Sequence, residues 1–375
     1  SDIGAQSTPA EPSEKDPAWL KWLMPFWVLV LLTLVALRFA EPVGDGDLFW
    51  QMAYGQYMLE HKTLIPDHTI YSWSDSTNTT IYCSWFAEIV LYLMHKIGGL
   101  PLLFAFRYAV VLAALGLGWK FASRVRMSGR PELFASLVIF TLASYVGTIL
   151  KPELFSFGFF ALWGFLSFRF RLAALEGKSY RRYLWSLPVV MVLWTNSHGV
   201  FVFGVVGLCL MFVGELLNQL FSPGIAMPRK ALREMALVTA LSILAMAVNP
   251  YHVNYLWQLI KEPLDMFFKT QDQGSKSGYA SLAAHLTIWK AVAFHFLNYM
   301  YFYIHCSLTL LGYMFLRSRP GFRIDWVFVV LNLVFCALYN WYLRTTFYWP
   351  IYFLFSSLFL MFLIRRNEEI GRAHV

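Results

Sequence analysis

Charge is what this sequence has least of. Asp, Glu, Lys and Arg make up 14% of its 375 residues, against roughly 25% in soluble domains, while mean hydropathy reaches +0.53. A chain so poor in charge and so rich in apolar side chains belongs in a membrane. The four cysteines, Cys83, Cys209, Cys306 and Cys336, show no CxxC spacing, and three lie inside apolar runs, so neither a zinc site nor a disulfide framework is expected. P-loop, GxSxG, HExxH and GxGxxG stretches are missing. So are the short alternating strands of an outer-membrane barrel, an internal repeat and a heptad seam.

What is present is a succession of apolar windows. They predict an all-α polytopic membrane protein of about ten transmembrane helices, near Met24 to Ala40, Pro101 to Trp119, Leu133 to Gly147, Leu154 to Phe168, Tyr183 to Asn196, Val200 to Leu217, Met235 to Val248, Ala291 to Phe315, Trp326 to Leu343 and Thr346 to Ile364. Residues 1–20 read as a disordered cytoplasmic tail. The first apolar run reads as a retained signal-anchor. Residues 21–375 form a single transmembrane domain with two long outer loops, 41–100 and 249–290.

The formal net charge is +8, and its distribution says more than its sum. With a cytoplasmic N-terminus, one side of the membrane receives Lys120, Arg124, Arg126, Arg130, Arg169, Arg171, Lys178, Arg181, Arg182, Arg229, Lys230 and Arg233. Both termini then lie in the cytoplasm, as the positive-inside rule requires. Counting Tyr82 to Gly99 as a crossing would move the Lys120 to Arg130 cluster outside. That stretch is therefore predicted as an interfacial juxtamembrane helix.

The residues able to carry chemistry collect at the outer ends. Asp45 and Asp47 flank Gly46 directly after the first span, so a backbone turn there brings two carboxylates together. They can share Mg or Mn, or divide into a general base and an orienting partner. The plainer alternative is a solvated turn in which Asp47 caps the following helix. His68, after Pro66 and Asp67, either joins this site or marks a turn. Lys151 and Glu153, and Asn196 and His198, fall at the outer turns of two helical hairpins, where polar groups are costly unless paired or facing water. Lys151 and His198 suit a phosphate and Asn196 a sugar or headgroup; an ion pair of Lys151 with Glu153 or Glu88 that merely fixes packing is the alternative. Arg344, beside Tyr342 and Tyr348, is a further phosphate clamp. His295 and His305 are spaced too poorly along a helix to ligate one haem.

This layout resembles the GT-C class of integral membrane glycosyltransferases. The features that carry the resemblance are Gly44-Asp45-Gly46-Asp47 at the head of the first outer loop, the juxtamembrane helix Trp85 to Ile97, Arg107 near the second span, and polar outer turns at Lys151, Pro152 and Glu153 and at Asn196, His198 and Gly199. The resemblance implies that Asp45 or Asp47 acts as catalytic base, and that Lys151, His198 and Arg344 neutralise a lipid-linked phosphate. The expected function is transfer of a sugar from a polyprenyl-phosphate carrier to a lipid, glycan or protein acceptor at the outer face of the inner (plasma) membrane. Its partners would be a lipid-linked sugar, the lipid bilayer and possible membrane proteins, with no nucleic acid. A transporter, or a non-catalytic membrane subunit of a larger assembly, are the alternatives.

Overall fold

The computed structural model describes residues 18–42, 46–66, 70, 83–125, 127, 130–144, 146–258, 261, 296–318, 322–341 and 348–373. Of the expected site residues, Asp45, His68 and Arg344 lie outside these, as does His295. The described residues are helical throughout, with no strand among them. The helices are α1 Ala18–Arg38, α2 Asp47–His61, α3 Trp85–Arg124, α4 Pro131–Ala143, α5 Pro152–Leu175, α6 Arg181–Trp185, α7 Leu187–Thr195, α8 Val202–Phe221, α9 Arg229–Ala245, α10 Phe296–Arg317, α11 Trp326–Trp341 and α12 Trp349–Ala373.

Local chemistry sets several boundaries. Pro131 and Pro152 stand at the first turns of α4 and α5, where a missing N–H costs nothing and the fixed φ suits helix entry. Helix α3 is two helices end to end: Gly99 leaves helical geometry at φ 63 and ψ −157, with Pro101 two residues on. A left-handed φ of this kind is open to glycine without steric penalty.

The expectation of about ten transmembrane helices in a GT-C-like fold is overturned. Among the described residues, three helices are long and apolar enough to cross a membrane, Trp85–Arg124, Pro152–Leu175 and Gly199–Phe221, the last including the short 3-10 turn ahead of α8. At 1.5 Å per residue, the 13-residue α4 reaches about 20 Å and the 9-residue α7 about 14 Å. The hydrocarbon is about 30 Å thick. Helix α9 opens on Arg229, Lys230, Arg233 and Glu234. The apolar stretches Leu23–Arg38, Trp326–Tyr339 and Trp349–Ile364 are also shorter than a full span. The chain is a helical membrane protein with a few apolar spanning helices.

Helix α5 is the centre of the packing. It touches α3, α6, α7, α8 and α12, while α11 lies along α8, and α10 along α12. Phe160 of α5 meets Trp163, Trp194, Phe203 and Phe335 at centroid separations of 5.7 to 6.2 Å. Such tilted ring pairs favour this core beyond the area they bury. In lipid, packing of this kind is the main force between helices, because the surrounding tails are as apolar as the side chains.

The helix ends fall into two groups. At one end Arg124 pairs with Glu176, and Arg181 with Glu234 at 2.7 Å. At the other, the starts of α3 and α5 meet the turn at 196–201, and the start of α2 meets that of α5.

Candidate functional site

Of the polar side chains singled out from the sequence, the second end holds Asp47, Lys151, Glu153, Asn196 and His198. Asp47 opens α2 and is not its cap: Gly46 holds the cap position without a side-chain bond. The carboxylate is turned sideways instead. Its Oδ1 accepts a hydrogen bond from Trp50 Nε1 at 2.9 Å and its Oδ2 one from Lys151 Nζ at 3.1 Å. Lys151 is the extended residue preceding α5, which carries its side chain out of the helix axis toward α2. Its ammonium also lies 3.6 Å from Glu153 Oε1. The side chain of Lys151 is 14% exposed and that of Asp47 47%, so the pair sits at the rim of the fold.

Glu153 continues the chain of contacts. The same Oε1 stands 3.9 Å from His198 Nε2, and its Oε2 is buried with no hydrogen-bond partner among the described residues. Both Asp47 and Glu153 occupy first helical turns, where the helix dipole favours negative charge. His198 lies in extended backbone just after α7. Its Nδ1 is 2.9 Å from Ser156 Oγ, which also accepts a hydrogen bond from Trp194 Nε1 at 2.8 Å. Ser156 and Trp194 are fully buried. They fix the imidazole so that Nε2 faces Glu153.

Asn196, expected to bind a sugar or headgroup, is committed to the scaffold. Its Oδ1 accepts Trp85 Nε1 at 2.6 Å, its Nδ2 donates to the carbonyls of Val192 and Val248 at 2.7 Å each, and its own carbonyl accepts Phe86 N–H. The residue ties α3, α7 and the segment after α9 into one corner. Beside it, burial and the neighbouring Glu88 push the Cys83 thiol up to about 12. Burial, helped by Cys83, Glu88 and Tyr54, does the same to the Tyr251 phenol. Both therefore stay neutral. Glu88 accepts Ser84 Oγ at 2.8 Å, and the cation at Lys151 goes to Asp47 and Glu153.

Arg107 is fully buried and spends its guanidinium on two backbone carbonyls, Thr148 at 2.6 Å and Glu41 at 2.7 Å. It pins the strand of chain leading to α2 against the turn leading to α5. The site's two carboxylate-bearing helices are thereby held in register. Sequence reading missed Trp50, Ser156 and Trp194. Trp50 is three residues from Asp47, a helical spacing, but Ser156 lies 42 residues from His198, and nothing in an apolar run distinguishes a serine that aligns a histidine from one that bonds its own backbone.

Divalent ions fit poorly among the described residues. Both carboxylate oxygens of Asp47 are engaged, and the Lys151 ammonium stands where a cation bridging Asp47 and Glu153 would have to sit. No group of three or more His, Cys, Asp or Glu able to hold a metal occurs among the described residues.

What the arrangement offers chemically is a carboxylate at the rim, a shared ammonium, a second carboxylate with a free oxygen, and an oriented imidazole. Together they can exchange a proton and bind an anion. No protein-family model matches the chain, and no curated protein or solved structure does so either.

Proposed function

We propose that this end of the protein is a transferase site, which moves a sugar from a polyprenyl-phosphate carrier to a lipid, glycan or protein acceptor at a membrane surface. The observation that carries the reading is the meeting of Asp47, Lys151, Glu153 and His198, drawn from three separate stretches of chain, in one line of contacts. In this reading the carrier's phosphate draws the Lys151 ammonium away from Asp47, and His198 adds a second donor. The freed Asp47 carboxylate then takes the proton of the acceptor hydroxyl as that oxygen attacks the anomeric carbon, whose bond to the carrier's phosphate oxygen breaks, and the polyprenyl phosphate leaves against Lys151 and His198. Asp45, His68 and Arg344 remain part of the proposal as a second carboxylate and further phosphate contacts.

The test is Asp47→Asn and Lys151→Ala, compared in cells for surface glycan and for accumulated lipid-linked sugar. Each variant is expected to lower transfer by about 10²-fold or more, with the lipid-linked donor building up. Wild-type glycan in both, at normal expression, removes the transferase reading and leaves a non-catalytic membrane subunit.

A further inference from the structure

Away from that site, Cys306 on α10 and Cys336 on α11 place their sulfurs 3.4 Å apart. Neither is part of a disulfide, and both are half-buried. Among the described residues, neither Cys83, which is buried, nor Cys209 forms a disulfide. Helix α10 packs along α12 and α4, and α11 along α8 and also against α12, so the two share one neighbour. Leu310, one turn from Cys306 on α10, and Leu333, one turn from Cys336 on α11, are exposed apolar side chains. An uncharged, lipid-soluble reagent can reach the thiols along that surface, whereas a charged one would have to shed its hydration.

We propose that Cys306 and Cys336 form a redox-active dithiol site, which a neutral aromatic disulfide closes into an intrachain bond joining α10 to α11. Closure brings the sulfurs from 3.4 Å to about 2.0 Å, a movement that side-chain rotation supplies when the two Cβ vectors already converge. One thiol loses its proton and attacks a sulfur of the reagent. The reagent's S–S bond breaks, its first half leaves as a thiol, and a mixed disulfide remains on the protein. The second cysteine, deprotonated in turn, attacks the protein sulfur of that mixed disulfide and expels the other half as a thiol. Two electrons and two protons pass from the protein to the reagent. A thiol reductant reverses the sequence.

The full chain in detergent is treated with 4,4′-dithiodipyridine, and thiopyridone release is followed together with a non-reducing digest. Wild type is expected to release two thiopyridones for this pair, lose the mass of two hydrogens, and yield a Cys306–Cys336 linked peptide that dithiothreitol dissolves. Its melting temperature should rise on oxidation, since the new bond restricts the unfolded chain. In Cys306→Ser, Cys336 should instead keep a stable pyridyl adduct, with the melting temperature unmoved. A wild-type protein that retains pyridyl adducts on both cysteines, cross-links either one to Cys83 or Cys209, or leaves both unreacted would overturn the proposal.

Discussion

Arg171 shows how far a single side chain can escape a reading of sequence. Placed by hydropathy and charge among the basic residues of the cytoplasmic side, it is also fully buried. Its Nε donates to Glu215 Oε1 at 2.6 Å and its two terminal nitrogens clasp Asp325 at 2.9 and 3.0 Å. Those partners are 44 and 154 residues away along the chain, beyond the reach of any local pattern. One guanidinium faces two carboxylates, so the three charges are unequal in their consequences when removed. Arg171→Met strands two buried anions and should cost about 3–5 kcal/mol. Glu215→Gln leaves the bidentate Asp325 pair intact and relieves the excess negative charge, so about 1 kcal/mol is expected. Thermal unfolding in detergent separates the two; equal losses would mean that the cluster is not governed by its charge count. Lys151 and His198 were legible for the opposite reason. They stand at helix ends between apolar runs, and polar residues placed there have few options besides one another.

At the scale of elements, the sequence disclosed where helices begin better than which of them cross a membrane. Pro131, Pro152 and Gly99 mark real boundaries, because fixed or positive φ acts locally. Hydropathy does not distinguish a helix wrapped in protein from one wrapped in lipid. Helix α5 is apolar enough to span, yet 72% of its most apolar window is buried inside the fold. Short α7 is more apolar still, and at nine residues it is too short to cross. Helix α2 illustrates a contact that sets the site's geometry without touching substrate. Gly55 faces the backbone of Glu88 on α3, and a Cβ there would overlap the Glu88 carbonyl oxygen. Backbone cannot swing aside as a side chain can, so Gly55→Ala must push α2 away from α3 and carry Asp47 with it. A loss of about 1–3 kcal/mol is expected, along with a weakened Asp47–Lys151 contact. Asp47 crosslinking to Lys151 by a carbodiimide would report that separation, and an unchanged yield in Gly55→Ala would show that the helix pair tolerates the methyl.

Over the whole molecule, the two groups of helix ends differ in charge. The end where Arg124, Arg181 and Arg171 make their pairs also bears Arg130, Lys178, Arg182, Arg229, Lys230 and Arg233 at the ends of α3 to α9. At the opposite end Lys151 is matched by Asp47 and Glu153, and Arg38 by Glu41 at 2.6 Å. Lys and Arg are retained on the cytoplasmic side during insertion, since carrying them across opposes both their hydration and the membrane potential. The basic end is therefore expected inside, and the line from Asp47 to His198 outside, where a lipid-linked donor would be met. Gln56 on α2 and Lys178 after α5 are both exposed and belong to opposite ends. Each is replaced by cysteine in a background whose four native cysteines are alanine, and right-side-out vesicles are treated with a membrane-impermeant maleimide. Gln56→Cys should label in sealed vesicles and Lys178→Cys only after they are opened. The reverse pattern would put the polar site on the cytoplasmic face, and labelling of both in sealed vesicles would mean that α3 and α5 do not separate the two ends by a membrane at all.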